Sequence, residues 1–257
     1  MRMERLVRIF WTGGVDSSFR IMQLSVLPLI IKPYYLVNNR ESERFELDAI
    51  QEIINLIETR SATRCELLPL SIIKNEETPS SQNIYAAYHR LREEFYFGGQ
   101  YYWLARFATE HAGVELSIIK DDPVANHINQ HGGFKEVNDD LKGSFYVLDT
   151  EKVPEDVNTL FGYYHFPLVD LTKQNLRSLY FAKGYQDVMN RTWFCGTPIN
   201  GEPCGKCNPC LYTLDGGLTD RVPKAALRRY KWRKRLLKIE NWGKKIIFFI
   251  KSIFDHT

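Results

Sequence analysis

The spacing of apolar residues changes along the chain, and each change marks an element. Residues 6–11 (LVRIFW) are a short apolar run that stops at Thr-Gly-Gly, the pattern of a buried strand meeting a tight loop. From 16 to 25 the apolar positions Phe19, Ile21, Met22 and Leu24 follow helical spacing. Residues 32–37 predict a second strand. Residues 43–58 predict an amphipathic helix, in which Leu47, Ile50, Ile53, Ile54 and Ile57 recur every three or four positions. Residues 65–70 fit a third strand. Strands that alternate with helices pair in parallel and need crossover connections.

Beyond this point the pattern weakens. Residues 71–81 are polar and contain proline, so a loop is expected. Residues 84–96 and 101–111 predict helices separated by Gly98-Gly99, and 114–119 predict a fourth strand. Residues 121–143 are rich in Asn, Asp and Gly and read as a long irregular, functional loop. A short strand at 166–169 and a helix at 171–183, capped by Thr172, follow. Two basic helices are expected at 224–240 and 242–254. The fold class expected is α/β, a parallel sheet flanked by helices. The divisions expected are an α/β domain over 1–170, a helix plus cysteine segment over 171–217, and a basic helical tail over 218–257.

Composition adds two constraints. A 44% hydrophobic fraction in 257 residues supports a sizeable core. The net charge of +3 hides an asymmetry: residues 221–257 carry 12 Lys+Arg against 2 Asp+Glu, whereas the first 220 residues sum to −7. A basic tail reads either as a solvated helix face or as a contact for RNA or an anionic membrane. In 242–254 Ile246, Phe249, Ile250 and Ile253 share one face. That helix is too short to span a bilayer but long enough to lie on one, to dock on the body, or to join a second copy in a homodimer. With no long apolar run and no signal-peptide pattern, a cytoplasmic location is expected, with peripheral membrane association through this helix as the alternative.

The loop after the first strand, Thr12-Gly13-Gly14-Val15-Asp16-Ser17-Ser18, has the chemistry of a phosphate cradle. Glycines let the backbone approach an anion, amides at a helix start carry partial positive charge, and Thr12, Ser17 and Ser18 add hydroxyls. Asp16 would repel phosphate unless it orients the loop or meets Mg2+. The Walker spacing is absent. Asn38, at the end of the second strand, reads either as a nucleotide contact or as a turn residue. Asp121 and Asp122 read as solvated carboxylates or magnesium ligands. Tyr96, Tyr101, Tyr102 and Trp103 read as core aromatics before purine-stacking ones. His127 and His131, four apart, would meet a metal only on a helix, and a loop is expected there.

Four of the five cysteines lie within 16 residues, as Cys195-x8-Cys204-x2-Cys207-x2-Cys210. Four thiolates among Gly and Pro turns are a ligand set for a closed structural Zn2+ site, with an iron–sulfur cluster as the rival. Cys65 stands alone in an apolar stretch and reads as a buried small residue.

The glycine loop resembles the SGGxDS signature of the PP-loop ATP pyrophosphatases, with Thr12 in the first position. Combined with the cysteine pattern and the FPLVDLTKQNL segment before it, it resembles the 7-cyano-7-deazaguanine synthase family, over residues 6–55 and 166–217. The resemblance implies an adenine nucleotide alpha hydrolase-like (HUP-type) sheet. It implies ATP on Gly13, Gly14, Asp16 and Ser17, with Mg2+; Thr12, Val15, Ser18 and Asn38 are further nucleotide-binding candidates from the loop and strand, and Asp16, Ser17 and Lys173 are the catalytic candidates, Lys173 reading equally as a solvated lysine at a helix start. It also implies Zn2+ on the four cysteines. The activity it implies is an ATP-dependent ligase that adenylates a carboxylate, 7-carboxy-7-deazaguanine or a related acid, and aminates it with ammonia. The family's Gly-Tyr-Pro-Asp-Cys-Arg stretch has no counterpart, and Asp121–His127 stands in its place. The alternatives are a PP-loop tRNA-thiolating enzyme and a zinc-knuckle protein that binds nucleic acid or membrane with a decayed ATP loop.

Overall fold

The computed structural model describes residues 5–217 and 219–236. Strands β1 (Leu6–Phe10), β2 (Ile30–Val37), β3 (Glu66–Leu67), β4 (Ser71–Lys74), β5 (Val114–Glu115) and β8 (Tyr164–His165) form one parallel sheet. Its order is β3-β2-β1-β5-β8, with β4 also paired to β2. β3 and β4 share one edge of β2: β3 pairs with Ile30 and Ile31, and β4 with Tyr34 to Val37. The gap falls at Lys32-Pro33, where a proline has no N–H to donate to a neighbour.

Helices α1 (Val15–Ser25), α2 (Glu43–Thr59), α7 (Lys173–Ala182) and α8 (Gln186–Met189) cover one face of the sheet. Helices α3 (Gln82–Glu94), α4 (Gln100–Ala108), α5 (Pro123–Gln130) and α6 (Glu155–Phe161) cover the other. The strand alternation assigns the faces. Val7, Ile9, Trp11 and Tyr35 pack with α1 and α2, whereas Phe10, Tyr34 and Leu36 pack with α3 and α4. Burial on both faces explains why β1 and β2 read as nearly continuous apolar runs.

Several expectations are corrected. Residues 121–143 are not irregular. They form α5 and the first strand of an antiparallel hairpin, β6 (Phe134–Val137) with β7 (Phe145–Leu148). Asp122 caps α5 by accepting the Val124 N–H at 2.8 Å, and Pro123 opens it, so polar composition conceals a well-started helix. Residues 71–81 contain β4, and the strand expected at 65–70 shrinks to β3. The strand expected at 166–169 lies at Tyr164–His165. Cys65 is half-buried rather than enclosed.

Two compact units are present, Met1–Trp193 and residues from Phe194 onward. Leu176 and Tyr180 of α7 are buried in the first unit's core beside Phe19 and Val188. The second unit holds the four cysteines, α9 (Asn208–Asp215) and a helix, α10, over residues 224–236. The helix expected at 242–254 lies outside the described residues. Among the described residues no helix is long and apolar enough to cross a membrane.

Candidate functional site

A parallel sheet whose strand order reverses next to β1 leaves a crevice at the carboxyl ends of β1 and β5, where the helices diverge to opposite faces. The first unit has a cavity there of about 200 Å³. Thr12, Gly14, Asp16 and Ser17 line it from the β1–α1 loop, and Ser117 and Asp122 line it from the segment after β5. Tyr34, Leu36 and Arg40 contribute from β2 and its turn, while Tyr101, Trp103 and Leu104 of α4 close the apolar side.

The loop geometry follows from its glycines. Gly13 has φ +69°, and a Cβ there would lie 2.6 Å from the Glu46 carbonyl oxygen, so no other residue fits without moving α2. The Gly13 carbonyl also accepts the Trp193 N–H at 2.9 Å, and the Trp193 ring stacks on Phe45 at 4.6 Å. Gly14 is the N-cap of α1, and no side-chain hydrogen bond caps the helix. The first-turn amides of Val15, Asp16 and Ser17 precede the first intrahelical acceptors, which leaves them as donors for an anion. The Ser17 hydroxyl is 3.5 Å from that of Thr12, so both meet at the loop's inner edge.

Not every residue singled out in the sequence reaches the cavity. Ser18 is fully buried, and its hydroxyl accepts the Trp11 indole N–H at 2.9 Å, so it fastens α1 to β1 instead of facing a ligand. Val15 does not line the cavity, and its side chain packs against the core on the α1/α2 face. Asn38 donates its N–H to the Glu43 carboxylate and precedes Asn39, which has φ +60°; its side-chain oxygen is buried with no hydrogen-bond partner among the described residues, and Asn38 does not line the cavity. Lys173 begins α7, its N–H donated to Asp121 at 2.8 Å, and its ammonium lies close enough to Asp16 to favour the carboxylate. Tyr101 is core, as expected, with its hydroxyl 3.5 Å from Asp122; Tyr96 is exposed, and Tyr102 and Trp103 are half-buried. His127 does fall on a helix, with its ring 5.3 Å from that of His131. Even so, the cysteines form the one metal-ligand cluster found among the described residues.

Two cavity residues carried no sequence signal. The Ser117 hydroxyl is buried and has no hydrogen-bond partner among the described residues, a polar atom awaiting one. Arg40 brings a cation to the cavity and donates to Glu46 at 2.9 Å. The electrostatics are mixed. Burial raises Asp16 to about 6, Lys173 opposes this, and Asp122 across the crevice adds to it. Burial also raises Asp122. Two nearby carboxylates with raised pKa values would both ionise readily beside a divalent cation. Beneath the site Arg20 of α1 grips Glu115 of β5 through two bonds of 2.7 and 2.8 Å, which ties the loop-bearing helix to the opposite strand.

In the second unit the ligating sulfurs of Cys195, Cys204, Cys207 and Cys210 all lie within 4.8 Å of one another. Sulfurs at about 2.3 Å from a tetrahedral zinc ion sit about 3.8 Å apart. The Cys204–Cys210 and Cys195–Cys207 separations are 3.8 and 3.9 Å, the spacing of one ion. Cys204 accepts the N–H groups of Lys206 and Cys207 at 3.3 and 3.2 Å, bonds that stabilise a thiolate. Hydrogen bonding with Cys207 raises the Cys195 thiol. Gly205 has φ +72°, and a Cβ there would lie 2.1 Å from the Ala226 carbonyl oxygen, so the turn rests directly on α10. Four protein sulfurs would fill a tetrahedral ion's positions, an arrangement consistent with a structural metal.

No protein-family model matches the chain, and no curated protein matches it significantly.

Proposed function

We propose that this protein is a PP-loop, HUP-type enzyme that uses ATP to adenylate a small carboxylate and then aminates it, in the manner of the 7-cyano-7-deazaguanine synthase family. The observation that carries the reading is the cavity at the strand-order reversal, bounded by an uncapped glycine loop on one side and by Asp122 and Ser117 on the other. The strand order, third-second-first-fourth-fifth once β3 and β4 are taken as one position, supports the same class.

In this reading the amides of Val15, Asp16 and Ser17, with the Thr12 and Ser17 hydroxyls, hold the pyrophosphate portion of ATP. Asp16 and Asp122 would hold Mg2+, which neutralises phosphate charge when bound. Lys173 adds positive charge on the same side. The substrate carboxylate attacks the α-phosphorus, pyrophosphate leaves, and ammonia then displaces AMP from the acyl-adenylate. A carboxylate oxygen is a poor leaving group and AMP a good one, so the protein's task is positioning and charge neutralisation. The wall of Tyr34, Leu36, Trp103 and Leu104 suits a flat, partly apolar acid, with the Ser117 hydroxyl as its orienting contact. The second unit supplies a zinc knuckle. The HUP assignment, Zn2+ as the metal, and ATP with Mg2+ all belong to this reading.

Pyrophosphate release on mixing with ATP, Mg2+, ammonia and a panel of acids tests it, beginning with 7-carboxy-7-deazaguanine. Release is expected with at least one acid and should fall at least 100-fold in Asp16→Asn. Absence of ATP binding by calorimetry, together with no release for any acid, would sink the proposal.

A further inference from the structure

Helix α10 of the second unit sorts its cations onto two sides. The inward side is committed to structure. Ala226 is buried against the Gly205 turn, and the Arg229 guanidinium donates to the Cys204 carbonyl at 2.6 Å. The Tyr230 hydroxyl and the Lys234 ammonium both meet the Asp215 carboxylate. The exposed residues of α10 are Lys224, Arg228, Lys231, Trp232 and Arg235. At 3.6 residues per turn these five fall within an arc of about 100°, over a length of about 16 Å. None of the five has a hydrogen-bond, ion-pair or ring partner among the described residues. Trp232 is 64% exposed.

This outward face is strongly cationic, contains no carboxylate and carries one large aromatic ring. A helix that lies on a lipid surface needs a continuous apolar stripe, and a single indole does not make one. Ala226, the one buried apolar side chain of α10 among the described residues, already packs on the cysteine turn. Four cations in a row with an exposed ring match a different ligand, one that offers regularly spaced negative charges and flat unpaired rings. We propose that the outward face of α10 binds a single-stranded polynucleotide, its four cations against the phosphates and Trp232 stacked on an unpaired base. The segment's charge favours this, since residues 221–257 carry 12 Lys+Arg against 2 Asp+Glu while the rest of the chain is acidic. The surface is independent of the nucleotide reading of the cavity.

Anisotropy of end-labelled oligouridylate and oligodeoxythymidylate of equal length, titrated with the full zinc-loaded chain, provides the test. Four phosphate contacts on a single strand predict a log–log salt slope of about −2.8, so a fourfold rise in salt weakens binding about 50-fold. Exchanging Lys224, Arg228, Lys231 and Arg235 for Gln should remove most of that slope, and exchanging only Lys224 and Arg228 should remove about half. Trp232→Ala should weaken binding roughly tenfold with little change in slope, and Trp232→Phe should restore it. Helical signal and metal content, unchanged in each variant, exclude misfolding, and Asp16→Asn should bind as the parent does. A preference for either oligomer supports the proposal and identifies the sugar. The proposal is overturned if neither oligomer binds at low salt, if the four-Gln variant keeps the slope, or if polyglutamate competes as well as the oligomers and Trp232→Ala is neutral. Binding to anionic vesicles with both oligomers silent overturns it equally, in favour of a lipid surface.

Discussion

Asp16 lies in the first turn of α1, where the helix dipole favours a carboxylate, yet burial raises its pKa from 3.8 to about 6. The folded chain therefore holds this proton more tightly than the unfolded chain. Stability from the group is fully present below about 3.8 and is lost as pH rises through about 6. Above that pH an ionised, desolvated carboxylate is held in place, a cost that a ligand-bound cation would offset. Asp16→Asn removes the ionisation. The variant is expected to be more stable than the parent at pH 7.5 by about 1–3 kcal/mol and nearly equal to it at pH 4, while losing turnover. Thermal melts at the two pH values check this. An equal shift at both would mean that something other than the raised carboxylate is responsible. Ser18 gives the opposite lesson at the same scale. It belongs to the same hydroxyl-rich loop, but its hydroxyl is taken by the Trp11 indole. A loop's composition announces its donors without saying which of them turn toward the protein.

At the scale of elements, Arg20 and Glu115 join α1 to β5 beneath the crevice, with side chains only 5% and 0% exposed. Removing one member strands the other charge in the interior, so Glu115→Ala is expected to cost about 3–5 kcal/mol. Replacing both with Met and Leu should recover much of that stability while loosening the register of the loop against Ser117. Denaturant melts check the stability, and ligand affinity of the double variant checks the register. A single Glu115→Ala variant as stable as the parent would show that the pair supports nothing. These two residues are 95 positions apart, and no local pattern couples them. The same distance explains what the sequence could and could not show. β1, its glycine loop, α1, α2 and the cysteine cluster are continuous stretches whose spacing carries their structure. The cavity joins Asp16 to Asp122, Ser117 and Arg40, which meet only because the strand order brings β1, β2 and β5 side by side. α5 escaped because its apolar contacts, Val124, Ala125 and Ile128, are few and its polar residues many, although Asp122-Pro123 marks its start. β4 escaped because Ser71–Lys74 has a half-exposed edge pattern and gains its order from pairing with Tyr34 to Val37.

At the scale of the whole molecule, the two units differ in what holds them. The first has extensive apolar clusters on both faces of its sheet. Among the described residues of the second the buried side chains are Cys195, Cys204, Cys210, Thr213, Leu214 and Ala226, so sulfur takes much of the place that hydrocarbon fills in the first. A four-thiolate zinc site contributes roughly 10–16 kcal/mol near neutral pH, a large share of what so small a unit needs to fold. Metal binding and folding of the second unit should therefore be one event. A strong chelator is expected to expose the four clustered thiols to reagent and to remove the helical signal of α9 and α10. The first unit, with its core intact, should still melt cooperatively at higher temperature. Re-addition of Zn2+ should restore both the lost signal and the protection of the thiols. Circular dichroism and thiol counting at matched chelator concentrations decide it. Loss of metal with no loss of helix would mean that the Gly205 turn and α10 hold themselves, and one transition for the whole chain would mean that the units are stabilised jointly.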